Sequence, residues 1–226
     1  MKKLLFLTTL IAFSATSFAQ ATFGAQVGGN LASAKIEQTE GGTTIKQKTD
    51  PKFGFLIGVV AEVPFGSSIN FRPELNFIQK GHKFSETTNG GTSTDKVTLN
   101  YIELPLNFVY NAPAGSGTVF FGAGPSFGFG ISGKSKTTET NSPEVITDIK
   151  FDGKMNSTSN DNKIHLKGFD YGANILAGYK MASGISLNIG YTFGFANIIA
   201  DNNTTYKNIG GLSFKLGYMF GGANAK

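Results

Sequence analysis

The sequence has two histidines, His82 and His165, and no cysteine, so chemistry has few places to reside. Ser126 lies in Gly124-Pro125-Ser126-Phe127-Gly128, which has the spacing of a nucleophile elbow. With His165 and a nearby Ser or Asp it would suit hydrolysis or acyl transfer on a lipid. The elbow needs a strand-to-helix turn, however, and Ser126 falls in mid-strand by the reading below. Gly128 to Ser135 reads Gly-Phe-Gly-Ile-Ser-Gly-Lys-Ser, formally a phosphate loop, and its first six residues also match a dinucleotide fingerprint. Both need a following helix whose N-terminal amides hold phosphate, whereas Lys136 to Pro143 has no helical pattern. Asp148, Asp152 and Asn160-Asp161-Asn162 lack the spacing of a calcium loop. The reading is therefore non-catalytic, with no cofactor and no metal, and the Ser126–His165 hydrolase or acyltransferase is kept as the alternative.

A different set of ionisable residues is more telling. Glu62, Arg72, Glu74, Lys80, Glu103, Asp170, Lys180 and Lys215 are four acids and four bases scattered over the chain. All fall on one parity of alternating segments whose other parity is apolar. The clearest segment runs from Phe169, where Phe169, Tyr171, Ala173, Ile175, Ala177, Tyr179 and Met181 alternate with Asp170, Gly172, Asn174, Leu176, Gly178 and Lys180. After Ala182-Ser183-Gly184, Ile185, Leu187, Ile189, Tyr191, Phe193 and Phe195 continue the same alternation. Side chains alternate faces along a strand, so this is a hairpin with one greasy face. Pairing Met181 with Ile185 sets Tyr179 against Leu187, Ala177 against Ile189 and Ile175 against Tyr191.

Six more segments behave alike: Thr22–Ser33, Lys52–Val63, Ser68–Lys80, Val97–Tyr110, Thr118–Ile131 and Gly210–Phe220. The expected fold is all-β, an eight-stranded antiparallel up-and-down transmembrane barrel. Long polar connections at Lys35–Asp50, Gly81–Lys96, Ser132–Lys167 and Asn197–Asn208 alternate with tight turns, the asymmetry of outer-membrane barrels. Within the third, Ile146–Phe151 and Lys163–Leu166 are expected to extend strands five and six beyond the barrel. A charge facing lipid at mid-depth costs about 2–4 kcal/mol, which explains why the greasy parity has none. The charged parity must then line a narrow lumen, its eight ions pairing as a plug. Glu62, Arg72, Glu74, Lys180 and Lys215 fall in the periplasmic half; Lys80, Glu103 and Asp170 lie nearer the outside. Aromatic girdles are expected at Phe65, Tyr110, Tyr179, Tyr218 and Phe220 below, and at Phe53, Phe77, Phe129, Tyr171 and Phe195 above. A secreted soluble ligand-binding barrel is the structural rival.

The ends and the overall charge agree with this. Met1-Lys2-Lys3, an apolar run from Leu4 to Phe13 and Ser17-Phe18-Ala19 make a secretory signal over residues 1–19, with the barrel domain over 20–226. Without Lys2 and Lys3, the 20 basic residues become 18 against 15 acidic ones, a mild excess that implies no nucleic-acid partner. No mature stretch is apolar for long enough to form a membrane helix.

Arg72-Pro73-Glu74-Leu75-Asn76-Phe77-Ile78-Gln79-Lys80-Gly81, Leu99-Asn100-Tyr101-Ile102-Glu103-Leu104-Pro105-Leu106 and Phe121-Gly122-Ala123-Gly124-Pro125 resemble the PorT-like outer-membrane β-barrel proteins of the Bacteroidetes. So do Phe169-Asp170-Tyr171-Gly172 and Leu216-Gly217-Tyr218-Met219-Phe220. The resemblance implies an outer-membrane barrel akin to the small OmpA and OmpX types, and for a few relatives a part in type IX secretion or gliding. The expected partners are outer-membrane lipid, the barrel insertion machinery, and an extracellular or secretion-system protein met through the long loops.

Overall fold

The computed structural model describes residues 21–88, 91–156, 159, 161–201 and 203–220; the expected signal segment lies outside them. The strands are β1 (Thr22–Glu40), β2 (Thr43–Lys48), β3 (Asp50–Pro64), β4 (Ile69–Thr88), β5 (Gly91–Ala114), β6 (Gly117–Glu139), β7 (Val145–Lys150), β8 (Ile164–His165), β9 (Phe169–Lys180), β10 (Ile185–Gly194) and β11 (Thr204–Phe220). Taken in the order β1, β3, β4, β5, β6, β9, β10, β11, each pairs antiparallel with the next, and β11 pairs back onto β1. The ring therefore closes on eight strands, up and down. β2 and β7 are hairpin returns on β1 and β6, and β8 lies parallel to β7.

The β9–β10 register is the one the alternation demands, with Tyr179 opposite Leu187, Ala177 opposite Ile189 and Ile175 opposite Tyr191. Faces follow from register. Phe193, Ile189 and Leu216 are 40%, 44% and 51% exposed, while Arg72 and Lys215 are 0% and 6% exposed. A wall of exposed Phe, Ile, Leu and Val around a charged interior suits hydrocarbon outside and would be an aggregation hazard in water. The short-turn end is marked by Phe65, Tyr110, Tyr218 and Phe220 and the other rim by Phe53, Phe129, Tyr171 and Phe195, all exposed. Phe77 is half-buried against Phe55, with ring centroids 5.6 Å apart.

The strands run well past that second rim, which corrects the expectation of long irregular loops. Lys35–Asp50 is mostly strand: β1 continues to Glu40, turns through Gly41-Gly42 (φ +56° and +81°) and returns as β2. Two successive left-handed residues are what a two-residue hairpin requires, and glycine takes them without strain. Gly81–Lys96 is the continuing β4–β5 ladder, paired from Gly81 opposite Thr98 to Thr88 opposite Gly91. In Ser132–Lys167, β6 runs on to Glu139 and β7 folds back against it. Lys163–Leu166 does not lengthen β9, because its β8 residues pair with Ile149 and Lys150 of β7. β11 likewise starts at Thr204 rather than Gly210, leaving 195–201 as an irregular part of that connection.

Beyond the rim the parity of the strands inverts. On β5 the inward side changes from Asn107 and Glu103 to Tyr101 and Leu99, all buried, while the outward side changes from Phe108 to half-buried Asn100 and exposed Lys96. On β1 the inward Gln26 and Asn30 give way to Ala32 and Ala34, and the outward Phe23 and Val27 to Ser33 and Lys35. The protein is polar inside and greasy outside in one zone, then greasy inside and polar outside in the next. Each zone matches its solvent, hydrocarbon first and water second.

Candidate functional site

The first zone is sealed by ion pairs. Near the short-turn end, Arg72 Nη1 lies 2.6 Å from Glu62 Oε1, and its Nε lies 3.4 Å from Glu74 Oε1. Lys180 reaches the second oxygen of Glu62 at 2.5 Å, and Lys215 reaches Glu74 Oε2 at 2.5 Å. Gln26 Nε2 and Asn76 Nδ2 also donate to Glu74 Oε2, at 2.8 and 3.1 Å. Strands β1, β3, β4, β9 and β11 thus meet across the lumen through one knot of charge. The Arg72 guanidinium also sits 4.9 Å from the ring centre of Phe120, which packs with Val109 and Leu176 as a small apolar floor. The inward side is thus less uniformly polar than its glycine-rich parity suggests.

Above it lies an amide layer: Asn174 Nδ2 donates to Asn107 Oδ1 at 3.0 Å, and the Thr192 hydroxyl donates to Asn174 Oδ1 at 3.1 Å. The second ionic group follows. Lys80 is paired with Glu103 and lies 3.6 Å from Asp170 Oδ2, which accepts from Asn208 Nδ2 at 3.0 Å. The lower knot has three cations to two carboxylates and the upper has one cation to two, so each carries the excess the other lacks. Backbones crowd this space. A Cβ on Gly124 would stand 1.9 Å from the Leu106 carbonyl oxygen, so that position admits only glycine. Beside Asp170 and Ser126 remains a cavity of about 20 Å³, room for one water and for no solute.

The second zone is capped by apolar packing. Ala34, Leu56, Ile78, Leu99 and Tyr101 from the strands meet Ile149, Leu166, Ala196, Ile198 and Tyr206, with Phe151 and Ile199 against them. The connections are folded into this core: Lys167 N–H donates to Ile198 O at 2.6 Å, and Asn156 Nδ2 donates to Asp201 Oδ2 at 2.9 Å. His82 lies one inward position past Lys80 on β4, its Nδ1 3.2 Å from the Tyr206 hydroxyl, and burial pushes its pKa down to about 4. It is a neutral core histidine.

The family model of the outer membrane protein beta-barrel domain matches residues 18–200. The chain belongs to that family. It is a protein of the outer membrane, with its greasy wall in lipid and its short turns at the periplasmic face. No curated protein matches this outer-membrane barrel in sequence. Among solved structures it is similar to Neisserial surface protein A at 13% identity, covering 88% of this chain and 97% of that one, TM-score 0.39. Ail of Yersinia pestis, in complex with the heparin analogue sucrose octasulfate, matches at 12% identity, with coverage of 87% and 99% and a TM-score of 0.32. The outer membrane protease OmpT of Escherichia coli matches at 11%, with coverage of 88% and 97% and a TM-score of 0.30.

The other candidate residues of this barrel are dispersed. Ser126 pairs with Pro105 and Gly172 at mid-barrel, whereas His165 pairs with Lys150 in the cap. Gly128–Ser135 is continuous strand with no helix after it. Asp152 and Asp161 converge on one histidine: His165 Nδ1 is 2.8 Å from Asp152 Oδ1, and Nε2 is 2.8 Å from Asp161 Oδ1. Both ring nitrogens are occupied by carboxylates, a doubly held imidazolium rather than a general base.

Those bonds, Asp161 first and Asp152 second, raise the His165 pKa above its ordinary value near 6.5. The His165 bond in turn lowers both carboxyls, helped at Asp161 by Lys150. A raised imidazolium stabilises fully below about pH 6.5 and loses that contribution as pH climbs through the raised value. The depressed carboxyls contribute above their ordinary pKa and lose it as pH falls through the lowered one. The clamp is therefore tightest between the two limits. NMR titration of the His165 ring is expected to give a midpoint above 6.5 in the wild type. Protease cutting within 150–167 should rise on the alkaline side in step with that midpoint, and His165→Gln should remove the rise. A midpoint at or below the ordinary value would show that the clamp does not form.

Proposed function

We propose that this outer-membrane barrel is a non-catalytic, non-conducting anchor that holds a rigid β-structured platform at the cell surface for interaction with another macromolecule. The observation that carries the reading is the double closure of its axis, ionic in the lumen and apolar in the cap. A barrel built for solutes leaves an aqueous channel, which takes about 16–18 strands. Here the ordered mass lies instead in the extended β1–β2, β4–β5 and β6–β7 hairpins. The partner is an extracellular or secretion-system protein met through those hairpins. The Arg72–Gly81, Leu99–Leu106, Phe121–Pro125, Phe169–Gly172 and Leu216–Phe220 motifs support the PorT-like branch of the family, and with it a place in type IX secretion or gliding. The separation of Ser126 from His165 supports the absence of hydrolase or acyltransferase chemistry.

Planar-bilayer recording of the purified, refolded chain tests closure directly. No steady conductance above that of the bare bilayer is expected at moderate voltage. Stable unit steps passing small ions in the wild type would move the assignment to transport. Shortening the β4–β5 hairpin by matched residues from both strands, within 85–94, should leave a folded barrel in the outer-membrane fraction. Surface crosslinking should then lose the neighbour that the wild type captures; an identical crosslinking pattern would count against a platform.

A further inference from the structure

The register of the extended strands lines up like charges. Lys83 of β4 is directly opposite Lys96 of β5, and Lys96 is directly opposite Lys136 of β6. All three are on the outward face, because their neighbours His82 and Ser135 are buried, as is Leu99 on the inward parity of β5. Lys134, exposed, adds a fourth cation two positions down β6. Among the described residues, carboxylates touch this row only at its margins. Asp50 stands opposite Lys83 without an ion pair, Glu144 pairs with Lys136, and Asp148 stands opposite Lys134. Lys96 at the centre has lysines on both sides and no ion-pair partner among the described residues. A second pair, Lys35 opposite Lys207, repeats the arrangement on β1 and β11, with Glu37 2.8 Å from Lys35.

Like charges directly opposite on neighbouring strands repel and destabilise the sheet, so a row of three is an arrangement that an anion between the ammonium groups would relieve. Its height says which anion. The outward apolar band ends at Ile102 on β5 and Ile131 on β6, and the lysines follow on the same strands. With a rise of about 3.3 Å per residue and a tilt of about 40°, Lys96 and Lys136 stand roughly 12–15 Å above the hydrocarbon edge. Lys134 stands lower. The headgroup layer extends about 5–8 Å past that edge, and an extended lysine side chain spans about 6 Å, so the ammonium groups descend to its outer boundary while the backbones stay in water.

We propose that the Lys83–Lys96–Lys136 row, with Lys134 below it, is a binding site for the phosphate groups of outer-leaflet lipid headgroups. The site grips the lipid from the side of the β-extension, fixing the depth and tilt of the barrel. It uses point charges at one level and no cavity, so it selects for clustered phosphate rather than for a particular sugar.

The test uses the full chain refolded in a neutral detergent and bisphosphorylated lipid A as the probe, with binding followed by native mass spectrometry. Each lysine near an anionic surface contributes about a five-fold change. Lys96→Gln is expected to weaken binding by about that factor, and the Lys83→Gln, Lys96→Gln, Lys136→Gln triple variant by more than about ten-fold. Lys46→Gln, outside the row, should bind as the wild type does. Dephosphorylated lipid A should bind the wild type no better than the phosphorylated form binds the triple variant. Equal binding by wild type and triple variant would make the row a solvated face and overturn the proposal. Displacement of the lipid by pyrophosphate at matched phosphate concentration would assign the row to a free anion and overturn the lipid assignment. The heat-dependent shift on denaturing gels confirms folding of each variant; if the triple variant fails it, Lys96→Gln alone decides.

Discussion

Changing Glu74 to glutamine is expected to cost the barrel about 3–5 kcal/mol, read as an earlier midpoint of urea unfolding from lipid vesicles. Glutamine keeps the volume and most of the hydrogen bonding of the side chain, so the loss is one of charge. Glu74 faces Arg72 and Lys215, both buried, and its own side chain is wholly enclosed. Without it, Glu62 is the one carboxylate left for three cations, and Lys215 has no anion to meet. A buried cation stripped of its partner is far more costly than a pair removed together. Glu74→Gln combined with Lys215→Met should therefore recover at least half of the loss, a coupling that only groups in direct contact display. A Glu74→Gln variant that unfolds with the wild type would show that the lumen is wet enough to solvate its charges, and the plug would lose its basis.

The second large effect is expected in the cap. Leu166 is 1% exposed and packs in the core that includes Ile149 and Ile198. Leu166→Ala should cost about 2–5 kcal/mol, the usual range for deleting a buried leucine. The loss should appear first as proteolytic cutting in 150–167 and 195–203, with the transmembrane ring still folded and still heat-modifiable on gels. Unchanged protease resistance would mean that these connections lie loosely over the barrel rather than forming a core.

The two experiments probe zones of unequal legibility. The ring could be read from the chain because each spanning segment keeps one parity: Ile185, Leu187 and Ile189 face the same way, and a lipid environment admits no charge among them. The register of β9 and β10 followed from that parity and a short turn. Pairing within the lumen was harder. Parity places Glu62, Arg72 and Glu74 inside, but which ion touches which depends on the stagger of strands distant in sequence, and Phe120 inside the lumen breaks the polar pattern. The cap was missed because its strands carry the opposite pattern. From Ile78 on, the buried side of β4 carries Ile78, Lys80 and His82, and the outward Gln79, Lys83 and Ser85 look like a loop to a reading tuned to greasy exteriors. Signals were present. Thr92, Thr94, Val97 and Thr98 favour strands, and Gly41-Gly42 between Glu40 and Thr43 is a hairpin turn. They describe a water-facing sheet, and they had to be read with the parity reversed at the rim.

That reversal bears on how the molecule enters its membrane. The cap is assembled from β1, β3, β4, β5, β7, β11 and two connections, so it can consolidate only after every tip has emerged on the far side. Its burial energy is gained late and on one side alone. Once packed, it works as a pawl: drawing any strand back would drag leucines and tyrosines out of their shared interior and through the headgroups. Threading thus becomes a one-way event, and the finished topology is locked from outside the bilayer.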